Sequence, residues 1–136
     1  MITTSDIADI LYRDCNQFGI EAIYRKGNVP EVTGGKLSTE RIVILPKPQQ
    51  PGKQWLKDFV EVNLCVPDLD DNGTADLGRL QELERMAKPT LDHKTGMFDG
   101  TRYHYKIDTI DGTAKDSDIK CHYVNVRLLF KVLNVN

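Results

Sequence analysis

Apolar side chains recur at Ile7, Ile10, Leu11, Cys15 and Phe18, three or four residues apart, while Asp6, Asp9, Arg13 and Asp14 fill the positions between them. That is the period of a helix with one buried face, and it predicts a first helix over residues 5–18. Thr3, Thr4 and Ser5 offer hydroxyls for its N-cap, and Gly19 supplies the left-handed residue on which such a helix ends. A short apolar stretch at 20–24 predicts a strand. Gly27, Pro30, Gly34 and Gly35 then break the pattern, and residues 27–39 read as a loop.

Beyond that loop the period changes from near four to two. Arg41-Ile42-Val43-Ile44-Leu45 is a β-branched run of strand length that stops at Pro46. Residues 46–54, rich in Pro and Lys, read as an extended connection. Over residues 59–66 apolar and polar positions alternate, so Val60, Val62, Leu64 and Val66 share one face of a strand. Asp68-Leu69-Asp70-Asp71-Asn72-Gly73 predicts a turn, and Leu77, Leu80, Leu83, Met86 and Ala87 mark a second helix that Pro89 is expected to close. Residues 92–100 read as a loop. Tyr103, Tyr105 and Ile107, then Val124, Val126, Leu128, Phe130 and Val132, alternate with polar neighbours and predict a closing hairpin whose connection begins at Asp111-Gly112.

The order α-β-β-β-α-β-β predicts an α+β fold: a largely antiparallel sheet of about five strands with two helices packed on one face. At 136 residues the chain reads as a single domain, residues 1–136.

Composition narrows the function classes. Hydrophobic residues at 40% and charged residues at 28% are ordinary for a globular chain, and 18 Lys and Arg against 20 Asp and Glu leave a net charge of -2. No sequence-wide basic field exists to hold phosphate backbones or anionic lipid, so nucleic acid is not expected as the primary ligand, nor a membrane as partner. No window approaches eighteen consecutive apolar residues, and Met1-Ile2-Thr3-Thr4-Ser5-Asp6 lacks the basic start and apolar core of a signal peptide. Cys15, Cys65 and Cys121 are widely separated and read as reduced thiols, and Asn72-Gly73-Thr74 matches a glycosylation acceptor that has no meaning without secretion.

The sharpest local motif is Asp68 to Gly73, which reproduces the opening of a calcium loop. The twelfth position, where a bidentate Glu should close the shell, is Arg79, and the preceding segment is a strand. The better reading is a β-to-α turn with Thr74 or Asp76 capping the second helix. Gly34-Gly35-Lys36 lacks the first Gly and the hydroxyl of a phosphate loop, having Pro30 and Leu37 there. His93, His104 and His122 show no ligand spacing, and His122 points away from its neighbour Cys121. Trp55 between Lys53 and Lys57, and Tyr103 and Tyr105 around His104, read as strand packing or a protein interface. No catalytic, cofactor-binding or metal residues are therefore nominated.

Element order carries one resemblance. The helix over residues 7–18, the loop into Arg41-Ile42-Val43-Ile44-Leu45, the strand Val60-Glu61-Val62-Asn63-Leu64-Cys65-Val66 leading to the second helix, and the closing hairpin through His122-Tyr123-Val124-Asn125-Val126-Arg127-Leu128-Leu129-Phe130 together resemble the small tail terminator and tail-completion (minor tail) proteins of long-tailed bacteriophages and prophages. The resemblance spans most of the chain, with the insertion at 46–51 a departure from the family's short connection. It implies a structural virion protein without enzyme activity or cofactor. Such a protein self-associates into a ring, commonly a hexamer, caps the tail tube and meets other tail or neck proteins. It would be made in the cytoplasm of the bacterial host and incorporated in the virion. The alternative is a small ligand-binding domain or enzyme of a mobile element whose site is assembled from residues distant in sequence.

Overall fold

A computed structural model describes residues 2–48 and 55–133. The first helix, α1 (Thr4–Asp14), continues as a turn of tighter 3-10 helix at Cys15–Phe18. Its start is closed reciprocally: the Asp6 amide donates to Thr3 Oγ1 at 3.1 Å, and the Thr3 amide donates to Asp6 Oδ2 at 2.9 Å. Gly19, at φ 74°, ends it as the sequence predicts.

Among the described residues six strands follow, β1 (Ile23–Arg25), β2 (Arg41–Pro46), β3 (Trp55–Pro67), β4 (Lys94–Phe98), β5 (Thr101–Asp116) and β6 (Cys121–Leu133), with α2 (Leu77–Leu91) between β3 and β4. They form one sheet in the order β1-β2-β3-β6-β5-β4. The α+β class stands, but the sheet has six strands and is mixed. β1 runs parallel to β2, in register Ile23 with Ile42, and every other pairing is antiparallel. The parallel pair arises because the loop after β1 carries the chain back to the end of the sheet where β1 began.

The added strand, β4, occupies the segment expected as a loop at 92–100. It lacks alternation and contains Gly96, and it is held by pairing with β5 through a tight turn at Asp99 (φ 48°) and Gly100 (φ 76°). Asp111-Gly112, read as the start of the hairpin connection, lies inside β5 beside an irregularity in its pairing with β6; a second irregularity follows Ile107. These bulges bend the long strand. Helix α2 passes through Pro89 and ends at Leu91, because buried Thr90 and Leu91 draw the last turn onto the core at the loss of one backbone hydrogen bond. Of the connection expected at 46–54, residues 49–54 lie outside the described residues, and β3 begins at Trp55.

Both helices pack on one face of the sheet. Ile7, Ile10 and Leu11 of α1 and Leu80, Leu83 and Ala87 of α2 join Ile42, Val62, Leu64, Val126 and Leu128 in one apolar cluster. At the β4 side, Phe130 stacks on Tyr103 and Tyr105, with ring centroids 5.4 and 5.5 Å apart. The fully buried Tyr105 donates its hydroxyl to Asp14 Oδ2 at 2.5 Å, and Tyr103 accepts from Arg13 Nη2 at 2.8 Å, so α1 is tied by polar contacts to the far side of the sheet. The buried environment and the Asp14 carboxylate both hold the Tyr105 phenol above its ordinary range. Tyr103 lies directly across Gly96, where a Cβ would stand 2.4 Å from its hydroxyl. Among the described residues, no helix is long and apolar enough to cross a membrane.

Candidate functional site

Alternation along the strands puts a second set of side chains on the face away from the helices. From β2 to β6 the paired positions run Val43, Asn63, Asn125 in one row and Leu45, Glu61, Arg127 in the next. Phe59 faces Leu129 one step further along. Asn125 Nδ2 donates to Asn63 Oδ1 at 2.7 Å, and the Arg127 guanidinium lies 3.7 Å above the Phe59 ring, with its Nε 3.7 Å from Asp108 Oδ2. Asn63 and Asn125 thus pair with each other and Arg127 lies over Phe59, with Arg127 Nε buried and without a hydrogen-bond acceptor, while of the apolar groups between them Val43 is buried and Leu45, Phe59 and Leu129 are half-buried. Among the described residues no helix packs on this face. Among the described residues its cover lies at the end of the β3–β6 ladder, where Leu37 of the 27–39 loop packs with Cys65 and Cys121 and its amide donates to the Ile119 carbonyl at 2.8 Å.

The short outer strands β1 and β4 bound the sheet, and Met97 of β4 is 61% exposed. An outer strand offers unpaired backbone groups to a neighbour, and short length limits indiscriminate pairing. The covering loop is itself anchored at both ends. Arg41 Nη1 donates to the Pro30 carbonyl at 3.2 Å, and Glu40 accepts two hydrogen bonds from Arg79 of α2 at 2.7 and 2.9 Å. Arg79, standing where a calcium loop needs its clamping Glu, is thereby committed to Glu40.

The acidic turn after β3 distributes its carboxylates to separate partners. Asp70 accepts from the amides of Asn72 and Thr74 and from the Thr74 hydroxyl, and Asp71 pairs with Lys36 at 2.8 Å. Asp76 caps α2, accepting from the Arg79 amide at 3.3 Å. Asp68 alone turns inward: its side chain is 1% exposed and meets His122 Nδ1 at 2.6 Å. Sequence reading placed His122 correctly on the face opposite Cys121 and missed this buried pair, which only the pairing of the end of β3 with the start of β6 brings together.

The other two histidines are brought closer than their spacing suggests, with ring centroids 6.0 Å apart; His104 bonds Thr95, and exposed His93 lies 3.8 Å from Asp92. Tyr103 and Tyr105 prove to be core, as the packing alternative expects. Two clefts of about 390 and 490 Å³ flank the base of the 27–39 loop and share Ala22, Ser38 and Thr39.

No family model matches the sequence, and no curated protein matches it. Among solved structures, one chain is similar over 96% of this chain and 94% of its own length, with a TM-score of 0.51 at 11% identity. At that identity the likeness is one of fold: an α+β arrangement spanning both chains nearly end to end.

Proposed function

We propose that this chain is a structural virion protein of the tail terminator or head-tail joining type, which acts by assembling into a ring at the end of a phage or prophage tail tube. The observation that supports it best is the uncovered sheet face, on which Asn63 is already paired with Asn125, Arg127 stacks on Phe59, and apolar groups lie between them. Covering such a face strands few polar groups, so it suits burial against another subunit. A ring needs two different surfaces per subunit, and the 27–39 loop with its neighbouring short strand β1 supplies a second one at the opposite end of the sheet from β4. A stable contact buries on the order of 1,000 Å² or more.

Light scattering over a concentration series, alone and with the tube protein, tests the reading. The expected result is a species of fixed subunit number in one of the two conditions, dispersed by Leu129→Asp without loss of the monomer's fold. A strict monomer in both conditions, with no decoration of tubes by electron microscopy, refutes it. The second reading, a small ligand-binding domain, draws on the two clefts beside residues 38–39. A ligand that saturates there, with no assembly in either condition, favours that reading.

A further inference from the structure

Cys65 and Cys121 stand on the helix-free face at the end of the β3–β6 ladder. Cys65 pairs with Tyr123 and Cys121 with Pro67, so the two are diagonal neighbours on one face of adjacent strands. With Leu37 they form a buried cluster separate from the main core. Arg41 stands opposite Cys65 on the other side, in β2, and its Nε is buried with no hydrogen-bond acceptor. Buried N–H groups are rarely left so. A neutral thiol is a weak acceptor, whereas a thiolate beside this N–H would satisfy it.

The electrostatics run the same way. Contact with Cys121 and then the Arg41 charge hold the Cys65 thiol below its ordinary range against the opposing effect of burial, and the same contact pushes Cys121 up. The pair is thus asymmetric, Cys65 being the more acidic sulfur, its thiol donating to the Asn63 carbonyl at 3.9 Å, and Cys121 the less acidic. Cys15, in the apolar core, is pushed up to about 12 by burial and is a built-in inert reference.

We propose that Cys65 and Cys121 form a redox-active dithiol, in which Cys65 attacks hydrogen peroxide and Cys121 resolves the product to a disulfide. In the first step the Cys65 sulfur bonds to one peroxide oxygen and the O–O bond breaks. The departing oxygen takes a proton and leaves as water, and the peroxide has been reduced by two electrons while the sulfur has become a sulfenic acid. In the second step the Cys121 sulfur bonds to the Cys65 sulfur, and the hydroxyl leaves with the Cys121 proton as a second water. One peroxide and two thiols give one disulfide and two waters.

The cleft of about 390 Å³ beneath the 27–39 loop is lined by Leu37 and Arg41 and by neither cysteine, so peroxide entering it must displace Leu37, which packs with both. Diagonal neighbours stand about 7–8 Å apart, beyond what a disulfide spans without backbone movement, so closure must draw the strand ends together. Pro67 with Cys121 is the last pair of that ladder, so the movement is confined to its end, where the pairing of Cys121 with Asp116 and the bond from the Asp68 amide to the Lys120 carbonyl must give.

The test uses the full chain with stoichiometric hydrogen peroxide, read by intact mass and peptide mapping. The expected product has lost two hydrogens and yields a Cys65–Cys121 linked peptide, with Cys15 unmodified. Cys121→Ser should stop at a sulfenic acid on Cys65, trapped by a dimedone-type reagent. Arg41→Met should slow the oxidation on the order of tenfold, and Arg41→Lys less. Oxidation of Cys15 as fast as Cys65, a Cys65 rate unchanged in Arg41→Met, or Cys65 over-oxidised with Cys121 still free would each overturn the proposal.

Discussion

The two faces of the same sheet are built on opposite terms. On β3, Val60, Val62, Leu64 and Val66 point into the helical layer and are all at most 3% exposed. One residue along, Phe59, Glu61 and Asn63 point the other way and are half-buried in a mosaic of pairs, Arg127 over Phe59 and Asn125 to Asn63. The inner face is held by removal of apolar area from water, which is non-directional and large. The outer face is held by local complementarity, in which each contact, Asn125 to Asn63 or Arg127 over Phe59, is worth a small amount. Stability therefore resides on one face, and freedom to meet another molecule on the other.

The widest gap between the faces should appear at adjacent positions. Leu64→Ala leaves a cavity among fully buried neighbours and should cost about 2–5 kcal/mol in denaturant melts. Next in size is Gly96→Ala, because the new Cβ must displace Tyr103, whose hydroxyl is bound by Arg13 and whose ring stacks on Phe130. Overpacking of this kind costs about 1–3 kcal/mol, and the shift should show in the near-ultraviolet signal of the aromatic stack. Asn63→Ala, one residue from Leu64, removes a single part-buried hydrogen bond and should cost about 0.5–1.5 kcal/mol. Equal losses at 63 and 64 would mean that the outer face is as tightly packed as the inner one.

The inner face was legible in the sequence because apolar period states directly which side chains are buried. Ile7 to Phe18, Val60 to Val66 and Val124 to Val132 all face the core as their spacing predicts. What stayed hidden was fixed by pairing between distant strands. Two Asp-Gly dipeptides show this plainly. Asp99-Gly100 makes the turn between β4 and β5 with both residues at positive φ, while Asp111-Gly112 lies mid-strand at a bulge. The dipeptide signals a turn only where flanking runs pair, and the flank of the first, Lys94-Thr95-Gly96-Met97-Phe98, carries no alternation to announce a strand. Pro89 misled for a related reason, since tertiary packing of Thr90 and Leu91 outweighed one lost backbone bond. Nothing in local sequence could bring Asp68 to His122 on one face or Cys65 to Cys121 on the other; each pair is created by β3–β6 register.

The smallest expected effect lies where the two faces meet, in the turn that carries the chain from β3 to α2. Asp70 is solvent-exposed, yet the Thr74 hydroxyl, and then the amides of Asn72 and Thr74, hold its carboxyl below the usual range. Because the folded value is depressed, the charged carboxylate contributes stability that is fully present above the unfolded value, about 3.9. That contribution is lost as pH falls through the folded value. Asp70→Asn should therefore melt slightly below the parent at pH 7, with the gap closing in acid. Water competes for every one of these bonds, so the gap should be smaller than for Asn63→Ala. A carbon-detected titration of the side-chain carboxyl checks the cause independently: a midpoint at the ordinary Asp value would show that the turn is ordered by its backbone alone, with Asp70 adding nothing.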